Sequence, residues 1–404
     1  MTEVFDHLER VLDLAHPLPP LEVRLADAVG CVLAHDVPAL ADLPEHDLAG
    51  LDGYAVRSFD VEGASSGSPV ELRVLDSIGA GEADPGAIVE LTAMRIASGA
   101  PLPEGADAVV ALDGTNMGDA LVSIHRQVKP GENVRPTAGD VEEGQVALNA
   151  GVRIDARHIA LLAGLGYGRV VVHPRPRVVV VSVGDELVEP GKPAGPGGVF
   201  DANGHALTTA VQGVGASAFR VSAVPDEHVE LRETLEDQLV RADMIVTTGG
   251  LSYGANDTVK EVLSPLGTVR FDNVRISPGR QFGVGRFNDD TPILCLPGEP
   301  VSAQIGFEIF IRPALLAMSG YAELYRPTVS ARLTRAWDSP SGRREFIPVK
   351  LSGHPGDYRA NPTGSPHTTH LSALAQANAL MVVPQDRDRV EQGEELSCLV
   401  LSEW

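Results

Sequence analysis

Four things are scarce in this sequence. Aromatic residues make up 4% of the 404, so its cores must be built from Val, Leu, Ala and Ile. The three cysteines, Cys31, Cys295 and Cys398, are odd in number, far apart and without metal-ligand spacing. That excludes a disulfide framework or a thiolate metal site and reads as a reduced, cytoplasmic protein, with Cys295 a small core residue inside ILCL. Positive charge is sparse: Lys+Arg number 32 against 55 Asp+Glu, a formal net charge of −23. This argues against nucleic acid or an anionic membrane as partner, and an anionic small substrate would need locally clustered Arg or Lys. No run approaches 18 apolar residues, and the N-terminus carries Glu3, Asp6 and Glu9 with no apolar leader. Neither a signal peptide nor a membrane span is expected.

Gly and Pro, by contrast, are plentiful at 42 and 30, which predicts many turns and short strands, and the length predicts two to four domains. Thr2–Ala15 reads as an amphipathic helix with Val4, Leu8, Val11 and Leu12 on one face and Thr2 as its cap. Ala26–Leu33 reads as a second short helix. Residues 59–150 show short alternating runs between Gly/Pro/Asp turns, as in a small barrel or sandwich. Gly164, Gly166 and Gly168 imitate a dinucleotide fingerprint, but they lie between a helix and a strand, the reverse of the required order. From Arg177 the pattern becomes strands alternating with helices, the signature of a parallel α/β sheet. After Tyr325 it returns to short strands, with one helix between them.

The chemistry gathers in ADMIVTTGGLSYGANDTVKE. Met244–Thr248 is an uncharged, β-branched run that reads as a buried parallel strand, followed by Gly249, Gly250, Ser252 and Gly254, then Asp257 at a helix start. In an open α/β sheet this edge binds ligands, through helix N-termini and free backbone N–H groups. Other strand ends deliver Asp185 and Glu186, then Asp226, then Pro297-Gly298-Glu299-Pro300. One acidic residue after a strand is ordinary capping. Several on one edge suit Mg²⁺ or a raised carboxyl pKa better. Two alternatives stand beside this reading. Gly250–Gly254 is a literal G-x-S-x-G, so Ser252 with His354, His367 or His370 could form a serine hydrolase, although Ala255-Asn256-Asp257 separate the serine from its helix. A non-catalytic scaffold on the same fold is the other.

DGYAVRS at 52–58, SGAPLPEGADAVV at 98–110, GDELVEPG at 184–191, TTGGLSYGANDTVK at 247–260 and LPGEPVSA at 296–303 together resemble the molybdopterin molybdenumtransferases (MoeA), a family that includes the gephyrin E domain. The resemblance covers nearly the whole chain. It implies an α/β multi-domain fold in four parts: an elongated linking domain (1–45 with 141–173), an inserted β-rich domain (46–140), a βαβ molybdopterin-binding, MogA-like domain (174–324) and a C-terminal β-barrel (325–404). It implies a homodimer whose cleft joins the βαβ domain of one subunit to the inserted domain of the other. The implied reaction inserts molybdenum from molybdate into adenylylated molybdopterin with release of AMP, with Mg²⁺ present and a molybdopterin adenylyltransferase as upstream partner.

Carried over by motif, the implied catalytic residues are Asp52, Glu186, Asp226 and Asp257, the last three as Mg²⁺ ligands. Ser98, Arg135, Asp140, Asp185, Arg275, Arg280, Pro297 and Pro300 would bind substrate, and Gly249, Gly250, Ser252 and Gly254 would cradle the pterin phosphate. This sequence departs from the family at three places. A KPGKP-like stretch is Ser277-Pro-Gly-Arg280-Gln281, with Arg275 as a substitute cation; RRRGED is Arg135-Pro-Thr-Ala-Gly-Asp140; and LPGNP is LPGEP, which adds Glu299. Each departure removes positive charge or adds negative charge, so altered anion affinity is expected.

Overall fold

The computed structural model describes residues 1–251, 257–288 and 290–401. Its centre is a six-stranded sheet. The strands are β1 (Arg177–Ser182), β2 (Ser217–Arg220), β3 (Met244–Thr248), β4 (Val269–Asn273), β5 (Gln281–Phe287) and β6 (Thr291–Leu296), in the spatial order β2-β1-β3-β6-β5-β4. The first four positions in that order are parallel, and β5 and β4 finish the sheet antiparallel. The apolar runs have a direct cause. Val178 and Val180 enter one core with α1 (Val4–Leu12) and α2 (Ala202–Gly213). Val179 and Val181 enter the other with α3 (His228–Gln238) and α4 (Thr258–Leu263). A strand covered on both faces favours apolar side chains along its length.

β1 has β2 on one side and β3 on the other, so chain direction through the sheet reverses between β1 and β3. Crevices for ligands open at the carboxyl ends of such a pair. The helix after β6, α5 (Pro300–Met318), is long and apolar enough to cross a membrane by length and composition, and 72% of that window is buried as the core helix of the sheet. Its middle turn, Phe307–Ile311, is π-helical. Pro313, which follows, lacks the N–H for an α-helical bond to residue 309, and the wider turn accommodates it. Cys295 is wholly buried in β6, where burial pushes its thiol up to about 12.

The remaining parts flank this sheet. Leu21–Arg24, Arg169–His173 and Val32–Leu33 form an antiparallel sheet beside the helix Ala156–Gly164. The chain leaves it through Val37–Pro38 and returns through Val146–Leu148, which pair with each other. Between them lies a five-stranded sheet containing Gly53–Val56, Val70–Ile78, Thr92–Ile96, Ala108–Ala111 and Leu121–Ile124. At the C-terminus, Arg344–His354 pairs with Asp357–Pro362, then Thr328–Leu333, Glu395–Val400 and Ala379–Val383, which pairs back to Arg344–His354. That ring of five is a closed barrel. Ile276–Ser277 adds a parallel strand to its outside, lacing the barrel to the central sheet.

The helix expected over Ala26–Leu33 is only Leu25–Ala28, followed by the strand Val32–Leu33. Thr2 does not cap α1. Its hydroxyl reaches Asp272 at 3.2 Å. Asp272, on β4, is 4% exposed and also receives His7 Nδ1 at 3.1 Å, Arg10 at 2.8 Å and Arg270 at 2.7 Å. His7 itself is buried against Phe282 and Phe310. Burial alone would raise the Asp272 carboxyl, but bonds from His7 and Arg270 outweigh it and hold the carboxyl well below its ordinary range. A depressed folded pKa gives stability that is present above the unfolded value of about 3.9 and is lost as pH falls toward the folded value. Thermal melts should therefore show Asp272→Asn less stable than wild type at pH 7 by about 3 kcal/mol or more. The gap should narrow on acidification below about pH 4; a gap that is unchanged there would contradict the assignment.

Candidate functional site

A cavity of about 470 Å³ opens at the β1/β3 switch point. Its floor is backbone. Gly249 follows β3 at φ +95°, and a Cβ there would stand 2.2 Å from Val183 O. Gly250, at φ +62°, packs on Val259 so closely that a Cβ would lie 2.8 Å from its side chain. Both glycines are required by close packing of strand ends and helix. The amide of Gly249, one of the residues expected to cradle a phosphate, donates to Leu296 O at 3.2 Å. Ser252 and Gly254, also assigned to that cradle, lie outside the described residues.

The walls combine α2, β3 and the turn after β6. Asp201, 1% exposed, caps α2 by accepting from Gly204 N and the Ser182 hydroxyl, and pairs with Arg220 at 3.3 Å. Arg220 in turn holds Glu189, whose carboxyl is thereby kept below its ordinary range. Asn203 donates to Thr248 Oγ1 at 2.9 Å and Gly298 O at 2.8 Å, while the Thr248 hydroxyl donates to Pro297 O. Pro297 and Pro300 line the cavity with Glu299 between them. Glu186 and Asp226 line it as well. Asp226 is set from two sides: its amide donates to Asp185 at 2.9 Å, and its carboxylate accepts from Thr258 at 2.8 Å. Asp257, next to Thr258, makes no capping bond to α4 and lies 3.8 Å from Lys260.

Asp185, Glu186, Asp226 and Asp257 are thus linked along one sheet edge, but among the described residues no three His, Cys, Asp or Glu side chains form a group that could hold a metal ion. The expected trio Glu186, Asp226 and Asp257 is not a ready-made cage. The cavity lining, among the described residues, also contains no Lys, Arg or His. Arg275 is not its cation: it pairs with Glu3 at the start of α1, 3.3 Å away. Arg280 stands exposed just before β5.

Sequence reasoning placed Glu299 as a negative charge added to an anion site, and its neighbours show where that charge goes. Its carboxylate accepts from Val301 N, Ser302 N and the Ser302 hydroxyl at 3.0, 2.8 and 2.7 Å, capping α5. Glu299 also lines a second cavity of about 330 Å³ between the sheet and the barrel. That cavity has the cation the first lacks, Arg343, together with His367, His370, Ser277, Thr368 and Thr369. Its one other acid among the described residues, Glu345, is buried, which raises its carboxyl, and it accepts from Trp337 Nε1 at 3.0 Å. Of the histidines considered for a serine triad, His367 and His370 line this cavity, and His354 bonds its own turn at Pro355.

Asp52, Ser98, Arg135 and Asp140 lie on the inserted part and line neither cavity. Asp52 accepts from Ser98 N at 2.7 Å. Arg135 pairs through its backbone with Leu48, and Asp140 through its amide with Leu43. Asn203 and Arg343 were missed from sequence. An Asn after a capping Asp reads as a helix start, and Arg343 sits in an unremarkable turn.

An open α/β sheet with a glycine-floored switch-point cavity, a two-part N-terminal region and a closed C-terminal barrel is the architecture of the molybdopterin molybdenumtransferases, and the chain belongs to that family. The MoeA N-terminal region (domains I and II) matches residues 2–166, a probable molybdopterin binding domain matches 179–317, and the MoeA C-terminal region (domain IV) matches 330–401. Molybdopterin molybdenumtransferase 2 of Mycobacterium tuberculosis is 38% identical over 402 residues, 98% of each chain. The Bacillus subtilis molybdopterin molybdenumtransferase is 30% identical over 95% of this chain and 91% of its own. The molybdopterin biosynthesis MoeA protein from Pyrococcus horikosii superposes with a TM-score of 0.85 at 30% identity, covering 100% of both chains.

Asparagine caps helices well, so Glu299→Asn should fold normally while removing a charge from between the cavities. Molybdate binding measured by calorimetry should tighten several-fold, and unchanged or weaker binding would sink the idea that Glu299 opposes the anion.

Proposed function

We propose that this protein inserts molybdenum from molybdate into adenylylated molybdopterin, with release of AMP, and that Mg²⁺ takes part. The observation that carries the reading is the pair of cavities divided by Glu299, one floored by glycine and lined by carboxylates, the other bearing Arg343 and two histidines. A pyrophosphate entering the first would meet Glu186 and Asp226, and among the described residues the lining itself supplies no Lys, Arg or His. Hard oxygen donors are what Mg²⁺ takes, usually one or two carboxylates completed by substrate phosphates and water. Glu186 and Asp226 fit that role, with Asp257 on the next element. Bound there, the ion would offset phosphate charge and act as a Lewis acid.

The chain's own groups supply positioning. Asp185 fixes the backbone of Asp226, and Thr258 orients its carboxylate. The second cavity suits a tetrahedral oxyanion: a guanidinium offers a planar fork of donors, and hydroxyls from Ser277 and Thr369 add to it. Closing the distance between the two ligands across Glu299 is an effect of orientation.

The homodimer belongs to the same reading. Asp52, Ser98, Arg135 and Asp140 lie off the cavity of their own chain, and the inserted domain of a second copy would bring them, and the missing cation Arg135, over it. We place the reaction in the cytoplasm, downstream of an adenylyltransferase that makes the activated pterin.

Purified protein incubated with adenylylated molybdopterin and Mg²⁺ should release AMP only when molybdate is added. Glu186→Gln and Asp226→Asn should each slow release about 100-fold with little change in Tm. No molybdate-dependent AMP from wild type would overturn the reaction. Asp52→Ala and Glu186→Gln, each strongly impaired alone, should regain activity when coexpressed, because a mixed dimer then holds one intact site; a mixture no faster than either variant would overturn the shared cleft.

A further inference from the structure

Phe200 is 49% exposed in a chain with only 10 Phe, and it is the one aromatic residue among the described residues lining the switch-point cavity. Its backbone is fixed. Val199–Phe200 pairs in parallel with Leu187–Val188, the Val199 amide donates to Glu186 O at 2.7 Å, and the next residue, Asp201, is the buried cap of α2. The exposed ring therefore stands on a held ribbon at the cavity.

Asn203 supplies the independent observation. It is 8% exposed and lines the same cavity. Gly298 O and Pro297 O can only accept, so the Thr248 hydroxyl is committed as a donor to Pro297, and the two protons of the Asn203 amide are committed to Gly298 O and to Thr248 Oγ1. This fixes which end of the amide is nitrogen. The other end, Oδ1, is buried and has no donor among the described residues. A buried acceptor without a partner is costly to the free protein, and the cost is recovered when a donor arrives.

We propose that Phe200 and Asn203 form a subsite for a flat heterocycle carrying N–H groups: the ring stacks on Phe200, and one of its N–H groups donates to Asn203 Oδ1. This deepens the reading above, since the substrate proposed there has two such heterocycles, a purine and a pterin. The chemistry is common to both, and the test separates them.

The full-length protein is titrated calorimetrically in Mg²⁺ buffer with AMP, 6-hydroxymethylpterin and ribose 5-phosphate, which lacks a heterocycle. Phe200→Ala should weaken binding of one heterocyclic probe about tenfold and leave ribose 5-phosphate unchanged. Phe200→Trp should restore that binding and report it by quenched indole fluorescence. A loss confined to AMP assigns the subsite to the purine; a loss confined to 6-hydroxymethylpterin assigns it to the pterin. Asn203→Ala, if it folds, should weaken the same probe and not the other. The inference is overturned if Phe200→Ala binds both heterocycles as wild type does, if ribose 5-phosphate weakens in parallel, or if wild type binds neither heterocycle more tightly than ribose 5-phosphate. Molybdate-dependent AMP release by the same wild-type preparation keeps the two failures apart. Release without a Phe200 effect removes only the subsite, and a Phe200 effect without release removes only the reaction.

Discussion

The carboxyl edge of the central sheet depends on how closely separate backbones approach one another. Gly249 packs on the carbonyl of Val183 and lies within contact distance of Gly298, so the chain segments after β1, β3 and β6 meet with no side chain between them. That closeness lets the Gly249 amide reach Leu296, the Thr248 hydroxyl reach Pro297, and Asn203 reach across from α2 to hold both. The floor is consequently one hydrogen-bonded unit made from three strand ends and a helix start. A site built on rigid elements keeps its geometry better than one built on loops alone.

Charge at this edge behaves differently from what a count of acidic residues suggests. Asp201 is spent on Ser182, Gly204 and Arg220; Asp185 on the Asp226 backbone; Glu299 on the first turn of α5. These are capping and positioning roles, the ordinary use of an acid after a strand. Glu186 and Asp226 remain as carboxylates facing the cavity, which is a smaller and more specific set than four strand ends bearing acids. The overall charge of −23 thus says little about this cleft, where most of the local negative charge is already answered by backbone N–H groups.

What the sequence made legible was whatever local pattern determines. Runs such as Arg177–Ser182 and Met244–Thr248 are unbroken because both faces of the strand are covered, and the switch from paired short strands to alternating strands and helices at Arg177 follows from the same geometry. Glycines 249 and 250 were recognisable as special, but their reason was not: the atoms that forbid a Cβ belong to Val183 and Val259, one of them far away in sequence. Arg275 could not be assigned without seeing Glu3 beside it, and Thr2 could not be separated from a helix cap without seeing Asp272. Asn203 was invisible for the same reason. Its side chain matters through Thr248 and Gly298, 45 and 95 residues away. Long-range pairings decide these cases, and nothing in a local window encodes them.

Glu299 is where these threads join. The first turn of a helix is a ready anion site, because its amides have no partners inside the helix. At α5 the protein supplies the anion itself: with Pro300 lacking an N–H, Val301 and Ser302 are the next donors, and both point at the Glu299 carboxylate, as does the Ser302 hydroxyl. An oxyanion arriving between the cavities therefore finds the helix donors occupied and a negative charge in place. On the barrel side, Arg343 and two histidines line the second cavity. The shape of that cavity is accordingly tied to how the barrel sits on the sheet, an arrangement fixed by the parallel pairing of Ile276–Ser277 with Arg344 and Glu345. Glu345 also lines the cavity, so the strand that docks the barrel is a strand that shapes the second cavity.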